Sequence, residues 1–204
     1  MKLIQKGTEP AEWKIYRTTP GVDFSAIPEL KEALLQEQGN LCCYCLSKIS
    51  KDKMKVEHWK PRKTYPDLIL DYSNLMAACE GNFFGEQHCD TLKGPDELVI
   101  NPTDKKNNVE SLHHYSWSTG AIEVDQPYQK DVYETLNLNH PILRENRKEA
   151  LNALLQVLAN NKKYTETEFN KHLTTFKERK TDGSFHPHCM ILIKLLEKKL
   201  RQFK

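Results

Sequence analysis

The spacing of four of the six cysteines constrains this chain more than any other feature. Cys42 and Cys45 are separated by two residues in Cys42-Cys43-Tyr44-Cys45, and Cys79 and Cys89 follow with nine residues between them. A C-x-x-C turn points both sulfurs to one side, and four thiolates make a closed tetrahedral site for zinc. The second pair is wider than such a turn, so an inserted loop is required. Gly81, Asn82, Phe83, Phe84 and Gly85 supply its chemistry. Cys43 and His88 are rival ligands. The plain alternative is four unrelated buried thiols. The surrounding segment is short and turn-rich and cannot bury much surface, so a metal would supply stability that packing does not.

Reduced thiols fit the compartment that the rest of the chain implies. Met1-Lys2-Leu3-Ile4-Gln5-Lys6 has no apolar signal region, and no run approaches the roughly 20 apolar residues of a membrane span. The expected location is cytoplasmic, where cysteines serve as ligands or buried thiols and not as a disulfide framework.

A second group of residues lies between the cysteine pairs, in Glu57-His58-Trp59-Lys60-Pro61 and Asp71-Tyr72-Ser73-Asn74-Leu75. Neighbours on a strand face opposite ways, so Glu57 and His58 can serve one site only if the strand ends or kinks there. Pro61 supports such an end. His58 could then deprotonate a water for attack on phosphate. Glu57 and Asp90 offer the hard oxygens that Mg2+ or Mn2+ requires. The Asn74 amide could hold the His-bearing loop, with an Asx turn or helix cap equally open for Ser73-Asn74. Lys93 could meet a phosphate. A lone histidine is more often structural. The place of His58, beside a carboxylate and between two thiol pairs, favours catalysis. His113-His114 and His186-Pro187-His188-Cys189 lack a second matching pair and read as structural.

Net charge is +2, but its distribution is uneven. Residues 46–63 carry Lys48, Lys51, Lys53, Lys55, Lys60, Arg62 and Lys63 against Asp52 and Glu57. Residues 161–204 carry eleven Lys or Arg against five Asp or Glu. Such clusters suit a phosphate backbone, and a solvated face is the bland reading.

The coarse pattern is a mixed one. Residues 1–26 read as an extended lead-in with a short strand near Leu3-Ile4 or Trp13-Ile15-Tyr16. Pro28, Leu30, Ala33, Leu34 and Gln38 predict a helix stopped at Gly39-Asn40. Residues 41–56 suit a hairpin turned by the knuckle, with 54–59 as its return strand. Residues 73–78 read as a short helix or turn, and 80–97 as a loop with at most a short helix. Residues 117–124 read as a hairpin turned at Ser118-Thr119-Gly120. The remainder is helical. Asn139 caps a helix with Pro141 inside it, ending at Asn160-Asn161, and two amphipathic runs over 165–180 and 187–203 follow.

Together, Cys42-x-x-Cys45, Glu57-His58 with Pro61, Asn74-Leu75, and Cys79 and Cys89 followed by Asp90 resemble the HNH endonucleases, which carry the ββα-metal fold. That resemblance implies that Glu57 and Asp90 ligate a catalytic divalent cation, that His58 is the general base and that Asn74 orients its loop. The longer insert before Cys89 departs from the family pattern and leaves Asn82 and His88 as alternatives to Asp90. Within the family the chain is most similar to the HNH proteins of the Septu anti-phage system (PtuB type), some of which accompany retrons. The features are the Cys43-Tyr44-Cys45 knuckle, His58-Trp59-Lys60-Pro61-Arg62, Tyr72-Ser73-Asn74-Leu75, His88-Cys89-Asp90 with Lys93-Gly94, Ile100-Asn101-Pro102 and Leu136-Asn137-Leu138-Asn139. This implies DNA as substrate and an SMC-like ATPase of PtuA type as partner.

The expected fold is therefore α+β: an N-terminal lead-in (1–27), a zinc-stapled ββα-metal core (28–105) and a mainly helical C-terminal region (106–204). The expected function is metal-dependent cleavage of DNA. The competing reading is a zinc-stapled nucleic-acid-binding or adaptor module without catalysis. A thiol redox protein using Cys42 and Cys45 would need a C-x-x-C opening a helix in a βαβ setting, which the basic, turn-rich neighbourhood does not supply.

Overall fold

A computed structural model describes residues 1–160 and 165–203. The lead-in differs from its sequence pattern. Residues 11–18 form α1 (Ala11–Thr18), not a strand, entered through Pro10. Trp13 is its one buried side chain; it stacks on Tyr16 and meets Phe24 edge-on. The apolar alternation there was the trace of a single anchored helix face. Ile4 does pair its backbone N–H, with the Pro102 carbonyl at 2.8 Å, but outside any strand.

Helix α2 (Pro28–Gln38) forms where Pro28 and Gly39 predict. Pro28 needs no N–H donor in the first turn, and Gly39 takes the left-handed conformation at φ 59° that ends the helix. Gln38, buried at the C-terminal end, has a further task. Its amide donates to Ala77 O at 2.7 Å and accepts from Ala77 N at 2.7 Å. It thereby pairs with the outer edge of β2 (Leu75–Ala78) as a neighbouring strand would.

The antiparallel partner on the other edge of β2 is β1 (Lys55–His58), in the register His58↔Leu75 and Lys55↔Ala78. Residues 73–78 are therefore not a helix. A 3-10 turn at Tyr72–Asn74 feeds a strand whose four residues are all buried. Because β2 is covered on both faces it shows no alternation, and its apolar run does not distinguish strand from helix. The knuckle over 42–45 is tied to the same strand by Cys43 N donating to Ala77 O at 3.0 Å.

Residues 80–97 contain more order than a loop. β3 (Asn82–Phe83) and β4 (Glu86–Gln87) make a small hairpin, followed by the short helix α3 (Cys89–Lys93). Gly81 opens the hairpin at φ +66°, and a Cβ there would run into the His88 carbonyl and the Thr91 side chain. Beyond lie α4 (Val109–Leu112) and a third hairpin of β5 (His114–Tyr115) and β6 (Ile122–Glu123). Asn139 does not cap the next helix. Its side chain pairs instead with Ile122 N (2.8 Å) and Ile122 O (2.9 Å).

The C-terminal part is α5 (Pro141–Asn160), α6 (Glu166–Lys177) and α7 (Cys189–Leu200). The residue Asn161, expected to end the first of these, lies outside the described residues. Thr165 and Glu168 form a reciprocal capping box on α6. The helical part grips the cysteine segment: His188 N donates to Leu46 O at 3.0 Å, and Cys89 N donates to Leu136 O at 2.9 Å. Among the described residues no helix is long and apolar enough to cross a membrane.

Candidate active site

The four cysteines selected by spacing converge. The sulfurs of Cys42, Cys45, Cys79 and Cys89 all lie within 4.8 Å of one another. Cys45 and Cys79 are 3.8 Å apart, far too long for a disulfide. Zinc–sulfur bonds of about 2.3 Å in a tetrahedron place sulfurs about 3.8 Å apart, so the cage has the size of that ion. Cys42, Cys45 and Cys89 are buried and Cys79 is half-buried. Cys89 reaches the cage from a left-handed backbone, φ 53°, unusual for a residue with a side chain.

Burial alone would raise the Cys42 thiol. The adjacent Cys43, Cys45, Cys79 and Cys89 outweigh it and hold Cys42 well below its ordinary value. Burial, then Cys42, Cys45 and Cys79, push Cys89 up. One thiolate takes the S–H bonds of its neighbours and opposes a second, so only a cation lets all four ionise. The cluster could hold a structural metal. Cys43 is outside this set, and His88 stands beside it, with Nδ1 3.1 Å from Cys89 Sγ and 3.9 Å from Cys79 Sγ.

The acid–His pair sits at the end of β1, where the strand stops as Pro61 suggests. Glu57, His58 and Asp90 line one cleft of about 490 Å3, together with Lys31, Lys55 and Arg62. Asp90 arrives from α3, one residue after Cys89, so the cysteine cage sets its position. Asn82 and His88 lie elsewhere, beside Cys79. Asn82 caps the β3–β4 turn by accepting from Gly85 N at 2.8 Å.

Glu57 is buried. Its Oε1 accepts from Tyr44 OH at 2.6 Å and pairs with Lys93 Nζ at 2.9 Å. Burial first, and then the Asp90 carboxyl, push Glu57 well above the ordinary carboxylate range, while Lys93 and Tyr44 pull the other way. A cation between Glu57 and Asp90 would relieve the repulsion between the two carboxyl groups. The donor set suits a hard divalent cation, because Glu57 and Asp90 both offer carboxylate oxygens to the one cleft.

Lys93 is not a surface phosphate contact. It is 1% exposed and also donates to His58 O at 3.0 Å. It ties α3 to the end of β1.

His58 has a defined tautomer. Its Nε2 lies 3.0 Å from Ile69 O, and a carbonyl can only accept, so Nε2 carries the proton and Nδ1 the lone pair. Phe24 meets the ring edge-on at 4.5 Å. Burial, only partly offset by the Ile69 contact, lowers the imidazole pKa to about 4, so the ring is neutral at neutral pH.

Asn74 stands behind this site and does not line it. Its Oδ1 accepts from Lys60 N at 2.7 Å, and its Nδ2 donates to Lys60 O and Leu68 O at 3.1 Å each. Trp59 N donates to Asn74 O at 3.0 Å. Asn74 therefore clamps the loop between β1 and β2, the loop that carries Ile69. The Asx turn nearby belongs to Asp71, whose carboxylate accepts from Ser73 N.

Sequence reasoning missed Tyr44, Ile69 and the burial of Lys93. Tyr44 carried a signal, since it lies inside the knuckle and is fixed wherever the two cysteines are. Ile69 acts through a backbone carbonyl and leaves no trace in side-chain identity.

No family model matches the chain. It is 30% identical over 175 residues to the "Retron Vc95 putative HNH endonuclease" of Vibrio cholerae serotype O1 biovar El Tor, covering 80% of this chain and 80% of that protein. It is 34% identical over 95 residues to the Septu protein PtuB of Bacillus thuringiensis, covering 43% of this chain and 34% of that protein.

Proposed function

This chain belongs to the HNH endonuclease family, and from that premise we propose that it is a metal-dependent nuclease that hydrolyses DNA phosphodiesters in anti-phage defence. The observation that carries the reading is the meeting of Glu57, His58 and Asp90 in one cleft that also holds Lys31, Lys55 and Arg62. β1, β2 and α3 form its ββα-metal core. Residues 28–105 are the nuclease unit, flanked by the lead-in of residues 1–27 and the mainly helical region of residues 106–204.

Cys42, Cys45, Cys79 and Cys89 bind a structural zinc, whose task is to fix α3 and hence Asp90. Glu57 and Asp90 would hold Mg2+ or Mn2+, which when bound supplies a positive charge for the phosphate and the leaving oxygen. His58 Nδ1 takes a proton from a water, whose oxygen bonds to phosphorus as the bond to the leaving oxygen breaks. The Nε2 contact to Ile69 O steadies the imidazolium that forms. Asn74 holds the loop that supplies that carbonyl. Lys55 and Arg62 border the cleft with the charge sign that a DNA backbone requires. The Septu likeness makes an SMC-like ATPase of PtuA type the expected partner.

Plasmid nicking tests the reading. Purified protein, alone and with a co-expressed ATPase partner, is incubated with Mg2+ or Mn2+. The expected result is EDTA-sensitive nicking that His58→Ala lowers by about 100- to 10,000-fold with the fold unchanged. Full activity in that variant, or no cutting in either setting, refutes it. An adaptor would need the cysteines alone and would have no use for the convergence of Glu57, His58 and Asp90.

A further inference from the structure

The described residues hold a second concave site of different chemistry. Lys194, Glu197, Lys198 and Arg201 recur at helical spacing along α7 and into the turn that follows it. They therefore share one face, about 10 Å long at 1.5 Å per residue. That face forms one wall of a cleft of about 380 Å3, and His113, Tyr115 and Trp117 help to form the other. Glu197 is countered from outside the cleft, by Lys177 at 2.8 Å. Lys194, Lys198 and Arg201 have no carboxylate partner among the described residues. Trp117 is half-buried and the Lys198 ammonium stands 5.7 Å from its ring centre.

We infer that this cleft binds single-stranded nucleic acid, with a base stacked on Trp117 and phosphates on Lys194, Lys198 and Arg201. The ligand class follows from the combination. Three cations with an aromatic face describe the usual platform for a single strand. An acidic peptide would satisfy the cations, but its Asp and Glu side chains offer no flat π-face for Trp117. The site lies apart from the Glu57–His58–Asp90 cleft, with no lining residue in common. The inference concerns binding, so it stands or falls independently of cleavage.

The test is fluorescence anisotropy of a labelled 12-nucleotide single strand with the full chain carrying His58→Ala, so that no cutting intervenes. Lys194→Ala/Lys198→Ala is expected to weaken binding by about tenfold or more. It should also flatten the slope of log K against log salt by about 1.4, the loss of two single-strand phosphate contacts. The strand should quench tryptophan emission, and Trp117→Leu should remove most of the quench. Lys55→Ala/Arg62→Ala, in the first cleft, is the comparison. The inference is overturned if the Lys194/Lys198 variant binds with unchanged affinity and salt slope, or if the chain does not bind the strand at all. Displacement of the strand by poly-glutamate as readily as by unlabelled strand would also overturn it, assigning the cleft to acidic protein.

Discussion

Lys93→Met is the substitution most sensitive to how the candidate active site is held together. It keeps the length of the side chain and removes an ammonium that is 2.9 Å from Glu57 Oε1 and 3.0 Å from His58 O, with both ionisable side chains 1% exposed. Breaking a buried pair by removing one partner costs about 3–5 kcal/mol. The Tyr44 hydroxyl still donates to the orphaned Glu57 carboxyl at 2.6 Å, so the lower end, about 3 kcal/mol, applies here. For a chain of this length that lowers Tm by about 6–12 °C. The assay is thermal denaturation of zinc-loaded protein with and without Mn2+. A cation between Glu57 and Asp90 takes over the lost positive charge, so Mn2+ should raise the Tm of the variant more than that of the native chain. Lys93→Met/Glu57→Gln should recover most of the loss, because it removes the other half of the pair. A Tm within about 2 °C of native, or an equal response to Mn2+ in both proteins, would refute this reasoning.

Other positions give sharper but narrower outcomes. Cys79→Ser should lose most of the bound zinc, measured by metal analysis, and lower Tm; one retained zinc per chain would contradict the four-sulfur site. Asn74→Ala removes three loop contacts and should cost about 2–3 kcal/mol in denaturant unfolding. It should also slow nicking while zinc content stays native, so unchanged nicking would argue against the clamp. Gly81→Ala, at φ +66° and against the His88 carbonyl, should destabilise by more than about 1 kcal/mol and weaken zinc retention. A neutral result there would mean that the hairpin does not set the approach of Cys89.

What could be read from the sequence followed the kind of constraint. The cysteine cage was legible because thiols at those spacings suit a tetrahedral metal site. The helix over 28–38 was legible because Pro28 and Gly39 mark its ends, and that over 166–177 because Phe169, Leu173 and Phe176 keep an apolar stripe. β2 was not, because Leu75–Ala78 is covered on both faces and its pairing comes from β1 and from the Gln38 side chain, both distant in sequence. α1 was missed because one buried Trp13 gives too little periodicity to outweigh Pro10 and Pro20. Asn139 looked like a cap, but the open backbone pair of Ile122 claimed its amide. At the candidate site, Glu57, His58, Asn74 and Asp90 stood out by chemistry and order. The burial of Lys93 was not legible, because the carboxylate that claims it comes from Glu57, on a strand distant in sequence.

The central claim is that the cysteine cage presents Asp90 to Glu57 so that the two share a divalent cation beside His58. Anomalous X-ray scattering from crystals soaked in Mn2+, recorded on both sides of the zinc and manganese edges, measures this directly. The predicted result is zinc among Cys42, Cys45, Cys79 and Cys89, and manganese within about 2.0–2.2 Å of both Glu57 and Asp90 oxygens, on the side facing His58. An intact zinc centre with manganese absent from that pair of carboxylates would contradict it.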